Sequence, residues 1–365
     1  MQGTLEEILL KAEQEISLTR QEILRVLSIT RQSELDQVAK IARKIRSCYF
    51  HNKVFLYGFV YFSTYCRNNC SFCLYRQGNQ SYPRYRKSNQ EIQATARCLV
   101  NSGVHLLDLT MGEDPLYHQS QDGFRELIQM VKELKQGTGV SMMISPGVIS
   151  TEILRQFRKA GVDWYACYQE THNRDLYKQL RLDQNFDERM NQKRKARELG
   201  FLIEEGLLAG VGESDEDIAD SILTMRQMDA DQVRVMTFVP QENTPLAGRP
   251  GNSHFRELLI IALMRLVMPD RLIPASLDVD GLKGLQERLN SGANVITSII
   301  PPSAGMSGVS QSSLDIRDGK RTVEKIQPIL KSHDLEAASA GDYQAWIKHR
   351  QALRTASGRG EILCG

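Results

Sequence analysis

No stretch of the 365-residue sequence approaches the 18 consecutive apolar residues that a membrane-crossing helix needs. The opening MQGTLEEILLKAEQEI carries acids where a secretion signal requires a basic region. A cytoplasmic protein without a membrane partner is therefore expected. A surplus of one charge is missing as well: 46 Lys and Arg face 44 Asp and Glu, a formal net charge of +2. Nucleic acid and anionic membrane surfaces favour a strong basic excess, so no nucleic-acid partner is expected and small-molecule chemistry is the better reading. Evenly paired cysteines are also lacking. Seven in a long chain without a secretion signal argue against a disulfide framework and toward a metal or redox use. What remains, 41% hydrophobic and 25% charged residues, is ordinary globular composition with material for a large core.

Residues 1–50 repeat apolar positions at helical spacing (Leu5, Ile8, Leu9, Ala12, Ile16) and are predicted to form a helical extension. From Val54 onward, eight short apolar runs alternate with helical stretches: VFLYGFVYF, VHLLDLTM, VSMMIS, DWYACYQE, LIEEGLLAG, QVRVMTFV, LIPASLD and NVITSII. The intervening helices are predicted at 89–101, 121–136, 150–160, 185–199, 214–228, 252–267, 281–290 and about 318–332. Runs rich in Val, Ile and Leu suit strands buried on both faces of a parallel sheet. A doubly wound open sheet is possible, but eight strand-helix units favour an α/β fold of the (β/α)8 TIM type over residues 51–332, with its active site where strands enter the following loops. Residues 333–365 read as a C-terminal helical tail, with an amphipathic patch around Tyr343 and Trp346 and a polar end.

Directly after the first run, Cys66, Cys70 and Cys73 stand in a C-x3-C-x2-C spacing. Thiolates are the ligands of iron-sulfur clusters, and three of them on a four-iron cubane leave one iron open. A zinc site completed by a histidine, or three free thiols, are the alternatives, although zinc sites more often show paired C-x2-C motifs. Cys48, Cys98, Cys167 and Cys364 show no ligand spacing. Cys98 and Cys167 fall in a predicted helix and strand, where buried inert thiols are expected.

The C-x3-C-x-aromatic-C pattern in this position resembles the signature of the radical S-adenosylmethionine (SAM) superfamily. The resemblance implies a 4Fe-4S cluster on Cys66, Cys70 and Cys73 with SAM chelating the open iron. It places Phe72 near the adenine, with Tyr75 a further candidate there. The segment Asp108-Leu109-Thr110-Met111-Gly112-Glu113-Asp114-Pro115 is similar to the superfamily's glycine- and glutamate-bearing motif, with Met111 in place of one glycine. Gly112 and Glu113 are thus candidates near SAM, by backbone carbonyl rather than side chain; a turn before a helix is the alternative. Glu170 in YQET and Arg189 in FDERMNQKRKARELG resemble the pair that binds SAM in the branch of biotin synthase and a hydrogenase maturase. They could instead form an ordinary ion pair. The glycine run Gly206 to Gly212 would suit a phosphate loop, but Glu213, Asp215, Glu216 and Asp217 oppose one and fit a helix start capped by Ser214. Those glycines are expected to bring strand five close to the cofactor.

Arg234, Ser276 and Asp278 lie among apolar residues in runs six and seven. One arginine with Asp108 and Asp278 facing one pocket would match a substrate with one carboxylate and two amines, of which lysine is an example. A buried structural bridge between Arg234 and Asp278 is the alternative. Taken together, YFSTYC, DLTMGEDP, MISPG, YQET, VRVMTF, PASLD and GANVITSI resemble the 3-methylornithine synthase family of pyrrolysine biosynthesis over roughly residues 40–305. That implies L-lysine as substrate, contacted by Asp108, Arg234, Ser276 and Asp278, with Ser145 and Thr297 as further contacts. An electron donor that the residues do not identify is also implied. The implied chemistry is hydrogen abstraction from C4, scission of the Cα-C3 bond and rejoining at C4, a net isomerisation. The rivals are another enzyme of the biotin synthase and hydrogenase maturase branch, or a non-catalytic iron-sulfur or zinc protein.

Overall fold

The computed structural model describes residues 3–119, 122–301 and 320–360, with side chains through residue 354. All eight apolar runs become strands: β1 (Lys53–Ser63), β2 (Leu106–Met111), β3 (Ser141–Ser145), β4 (Trp164–Ala166), β5 (Leu202–Ala209), β6 (Gln232–Thr237), β7 (Pro274–Ser276) and β8 (Val295–Ile299). They are parallel and ordered β6-β5-β4-β3-β2-β1-β8-β7. The two ends nearly meet. Val233 N donates to Leu272 O at 3.0 Å and Leu272 N to Asp231 O at 3.1 Å, so a single bridge joins β6 to the approach of β7. The fold is thus a nearly closed (β/α)8 barrel, and the open-sheet alternative fails because β1 pairs with β8.

Helices follow the strands close to the predicted bounds, including Asn89–Asn101, Thr151–Lys159, Phe186–Glu198, Asp215–Gln227 and His254–Val267. Ser214 caps Asp215–Gln227, its hydroxyl accepting from Asp217 N while the Asp217 carboxylate accepts from Ser214 N. The helix beginning at residue 121 in the sequence pattern begins at Arg125. The last predicted helix spans Val323–Lys331, and residues 318–319 lie outside the described residues. Two helices were not anticipated, Pro115–His118 and Arg174–Leu180, both in loops at the mouth of the barrel.

Helix His254–Val267 is buried from Glu257 through Val267. Its sequence, LLIIALMRLV, is apolar all round because both sides are covered. The barrel lies on one side and the N-terminal helices Leu5–Glu13, Arg20–Leu27 and Gln32–Phe50 on the other. Arg46 fastens the extension, donating from Nη1 to Leu289 O at 2.6 Å.

The C-terminal segment closes the opposite end of the barrel from its active mouth. A two-residue strand, β9 (Glu336–Ala337), pairs in parallel with the start of β1, and helix Ala340–Gly360 then crosses the barrel floor. Tyr343 is buried and its hydroxyl meets that of Tyr57 at 2.8 Å. Trp346 stacks on the barrel-lining Trp164 with ring centroids 5.8 Å apart. Arg350 pairs with Asp231 at 3.1 Å and Asp229 at 2.9 Å, at the entry to β6. The interior above this floor is filled by Phe55, Leu106, Met143, Trp164, Leu202 and Val295.

Candidate active site

The cysteines lie in the loop leaving β1, and that loop is tied to the ends of two neighbouring elements. Arg67 N donates to Glu113 O (2.9 Å) and Gly112 N to Ser63 O (2.9 Å), while Ser71 N reaches Leu180 O at 2.8 Å. Gly112 is needed for this approach: a Cβ there would stand 2.2 Å from Tyr65 O and 3.0 Å from Cys66 Cβ. Its visible part is therefore to let the end of β2 lie against the cysteine loop. Cys70 is buried, and its Sγ accepts from Gln184 Nε2 at 3.2 Å and from Arg181 Nη1 at 3.7 Å. Burial pushes the Cys66 thiol up to about 11 and the Cys73 thiol higher still. Among the described residues no three His, Cys, Asp or Glu side chains converge on a single ion.

Phe72 is half-buried below the Arg181 guanidinium, 5.7 Å from its ring. Tyr75 is buried, packs edge-on against Tyr61 at 5.7 Å and carries Arg84 over its other side at 5.1 Å, a core position.

The ion pairs differ from the pairing suggested by sequence. Glu170 is held by Arg181 at 2.5 Å, and Arg189 pairs instead with Glu113 at 3.1 Å. Arg67 holds the other oxygen of Glu113 at 3.1 Å, and these two arginines keep that carboxylate below its usual range although burial opposes them. Arg181 follows helix Arg174–Leu180, which the sequence pattern did not reveal; this is why a residue 11 positions from Glu170 took the place expected for one 19 positions away. Arg181 Nε and Arg189 Nε remain buried without hydrogen-bond partners among the described residues. Glu170 has φ +67°, a left-handed backbone rare for a residue with a side chain. It lies at the mouth of the barrel, where such strain commonly marks function. A cavity of about 450 Å3 lined by Arg67, Asn68, Glu113, Gln184 and Arg189 opens beside the cysteine loop.

The barrel interior holds a second set. Asp108 faces inward from β2, accepts from Thr110 Oγ1 at 2.7 Å and neighbours Ser145. Its carboxyl is pushed up to about 7, first by burial and then by the Glu204 charge, against the pull of Arg234. Arg234 on β6 pairs with Glu204 on β5 at 2.5 Å rather than with Asp278, so the proposed Arg234 to Asp278 bridge is not formed. Asp278 faces Arg321 at 3.6 Å, and its backbone N–H donates to Ser276 Oγ at 3.3 Å. Thr297 is opposite Ser276 in the β7–β8 register, with a buried Oγ1 that has no hydrogen-bond partner among the described residues. Glu204, Arg181 and Arg321 were missed from sequence. The signal for Glu204 was present: two adjacent acids in the middle of an apolar run place one on each face of the strand.

The glycines within β5 and just after it make room for this chain's own residues. A Cβ at Gly206 would meet Arg234 Cγ at 2.7 Å, one at Gly210 the Asn252 backbone N at 2.7 Å, and one at Gly212 the Arg249 guanidinium at 2.6 Å. Their space is taken by this chain. Glu213 also fills the nest of N–H groups of Gly210, Val211 and Gly212 at 2.7, 2.9 and 3.0 Å, so a phosphate loop is excluded. Cys167 is buried as expected, but Cys98 is exposed on the outer face of its helix, as is Cys48. Cys364 lies outside the described residues.

A parallel barrel with three cysteines in the loop after its first strand defines the class, and residues 60–225 match the family described as the Radical SAM superfamily. The chain is 42% identical over 331 residues to a 3-methylornithine synthase of Methanosarcina acetivorans, covering 91% of this chain and 93% of the relative. The 32% identity to the [FeFe] hydrogenase maturase subunit HydE of Thermotoga maritima covers 81% of this chain and 84% of that one. A crystal structure of methylornithine synthase (PylB) superposes with a TM-score of 0.88 at 40% identity, covering 93% of this chain and 99% of that one. The chain belongs to the radical SAM superfamily and, within it, to the family of 3-methylornithine synthases. Its cofactors are those of the superfamily, a 4Fe-4S cluster and SAM. The residues present fit them: thiol donors with sulfur-directed N–H groups, beside a cavity lined by Arg189, whose buried Nε has no partner among the described residues. Among the described residues no helix is long and apolar enough to cross a membrane.

Proposed function

We propose that the protein isomerises L-lysine to (3R)-3-methyl-D-ornithine by radical fragmentation and recombination, the first step of pyrrolysine biosynthesis. The observation that carries the reading is Arg234, a guanidinium inside the barrel with a buried Nη2 that has no partner among the described residues, facing the same interior as Asp108. A substrate carboxylate would satisfy that donor, and the substrate's ammonium groups would take Asp108 and Asp278 as acceptors. Ser145, Ser276 and Thr297 would complete the contacts from β3, β7 and β8. Toward the cofactors, Cys66, Cys70 and Cys73 would hold the cluster, with Phe72 beside SAM. Glu170 and Arg189 would bind SAM's amino acid and ribose portions, helped by Arg181 and by the backbone carbonyls at Gly112 and Glu113, while Tyr75 would support the loop from the core. When bound, the cluster and SAM supply the one-electron cleavage that starts a radical reaction. The chain's own part is to hold substrate fragments in register and exclude water until they rejoin. The floor formed by Tyr57 and Tyr343 closes one end of that chamber.

The electron would come from a separate donor, and the free thiols of Cys48 and Cys98 suit a reducing, cytoplasmic setting. Anaerobically reconstituted protein given lysine, SAM and a reductant is expected to yield an isobaric amino acid, detected by mass spectrometry after derivatisation. Unchanged lysine under conditions that support SAM cleavage would refute the assignment.

A further inference from the structure

Strand β5 presents two adjacent glutamates, both fully buried, to opposite faces of the sheet. Glu205 points outward beneath helix Phe186–Glu198, where Lys193 pairs with it and Gln169 N donates to its Oε1 at 2.8 Å. That glutamate is matched by its own cation. Glu204 points into the barrel, where its Oε1 accepts from Gln232 Nε2 at 2.6 Å and Arg234 Nε at 2.5 Å. The Tyr168 hydroxyl also approaches the Glu204 carboxylate, while Arg234 Nη2 is buried with no hydrogen-bond partner among the described residues. The Tyr168 ring lies 5.5 Å from the Arg234 guanidinium carbon, and Gly206 leaves the room for the arginine to cross β5. Arg234 is therefore gripped from behind through Nε, which fixes where its outer N–H groups point.

Charge gives Glu204 a second task. Among the described residues, the carboxylates of Asp108, Glu204 and Asp278 stand at this end of the barrel with the guanidiniums of Arg234 and Arg321. Lysine, with two ammonium groups and one carboxylate, would bring one positive charge into the interior, and Glu204 is the carboxylate set directly against Arg234 there. Without Glu204 that guanidinium and the added ammonium would share a buried interior with one carboxylate fewer, which is costly.

Building on the lysine reading above, we infer that Glu204 is a positioning and charge-balancing residue. It holds Arg234 through Nε so that an outer N–H meets the substrate carboxylate, and it supplies the negative charge that selects a diamino acid over its neutral-tailed analogue. Glu204→Gln keeps an acceptor for Arg234 Nε but removes the charge; Glu204→Asp keeps the charge but shortens the reach.

The test uses cluster-reconstituted holoenzyme, with lysine as substrate and norleucine as competing ligand. For Glu204→Gln, KM for lysine is expected to rise at least about tenfold. Norleucine, which has no side-chain ammonium, is expected to inhibit this variant more strongly than wild type, a gain that a merely damaged pocket would not show. Glu204→Asp is expected to keep the wild-type preference for lysine over norleucine while losing kcat. Lysine KM within threefold of wild type in Glu204→Gln, or norleucine and lysine weakening in parallel, would overturn the inference. Loss of the cluster in both variants would overturn it too, by assigning Glu204 to folding alone. Wild type that cleaves SAM but leaves lysine unchanged would instead sink the substrate reading, so the two failures are separable.

Discussion

Replacing Asp108 with Asn should make the substrate-free protein more stable at neutral and alkaline pH. The carboxyl is buried, and its affinity for a proton rises from an ordinary 3.8 to about 7 through desolvation and the nearby Glu204, with Arg234 only partly offsetting them. The folded state therefore holds this proton more tightly than the unfolded chain. The stability tied to it is whole below the unfolded value and is lost as pH rises toward about 7. The full shift corresponds to about 4 kcal/mol, and the part between pH 5.5 and 8 to about 2 kcal/mol. At about 2.1 cal/mol/K per residue, a chain of this length moves its Tm by roughly 1.3 °C per kcal/mol. Asn keeps an acceptor for Thr110 Oγ1 but has no proton to lose. The Tm of Asp108→Asn minus that of wild type should thus grow by about 3 °C from pH 5.5 to 8, read by differential scanning fluorimetry on matched cluster-loaded samples. Saturating lysine should shrink the gap, because an ammonium beside Asp108 favours its ionised form. A difference that stays flat with pH, or one that favours wild type increasingly at high pH, would refute the buried-carboxylate argument.

Cys66→Ala, Cys70→Ala and Cys73→Ala should each abolish reductive SAM cleavage and lower bound iron, with the far-ultraviolet circular dichroism of the barrel retained; cleavage surviving in any of them would remove that cysteine from the ligand set. Gly112→Ala should cost about 1–3 kcal/mol and reduce iron occupancy, since the new methyl collides with Tyr65 O and the cysteine loop must move; unchanged iron content would show that the loop has slack. Tyr343→Phe leaves the buried Tyr57 hydroxyl without its partner and should destabilise by about 1–3 kcal/mol, measured as a fall in Tm. An unchanged Tm would mean that the barrel floor does not depend on this contact.

The strands were legible because parallel-sheet burial demands unbroken Val, Ile and Leu runs, and each such run became a strand. Helix starts were legible where chemistry is local, as at Ser214. Side-chain pairing was not, because it depends on which strands adjoin. Arg234 meets Glu204 since β5 and β6 pair with Gly206 opposite Arg234, a register that no spacing in the sequence states. Arg181 took Glu170 because a short helix without strong periodicity brought it there. The tail's aromatic patch was visible, yet its place under the barrel rests on Tyr57 and Trp164, nearly 300 and 200 residues earlier.

Two sets of charged groups stand apart in the barrel, and their separation bears on how two charged small molecules would find separate places. Around the cysteine loop, Arg67, Arg181 and Arg189 hold the carboxylates of Glu113 and Glu170, with Asp183 and Glu188 also lining the cavity there. Across the barrel, among the described residues, Asp108, Glu204 and Asp278 stand with Arg234 and Arg321. The arginine N–H groups of the first set would favour a carboxylate of SAM, and the carboxylates of the second the ammonium groups of a diamino acid. Asp108 is the hinge of this arrangement: it stands on β2, three residues before Met111 and four before the Gly112 that abuts the cysteine loop, yet its carboxylate faces the interior set that would hold the substrate. A single strand would then fix the distance between the radical source and the substrate, which is the geometric quantity that hydrogen transfer depends on most.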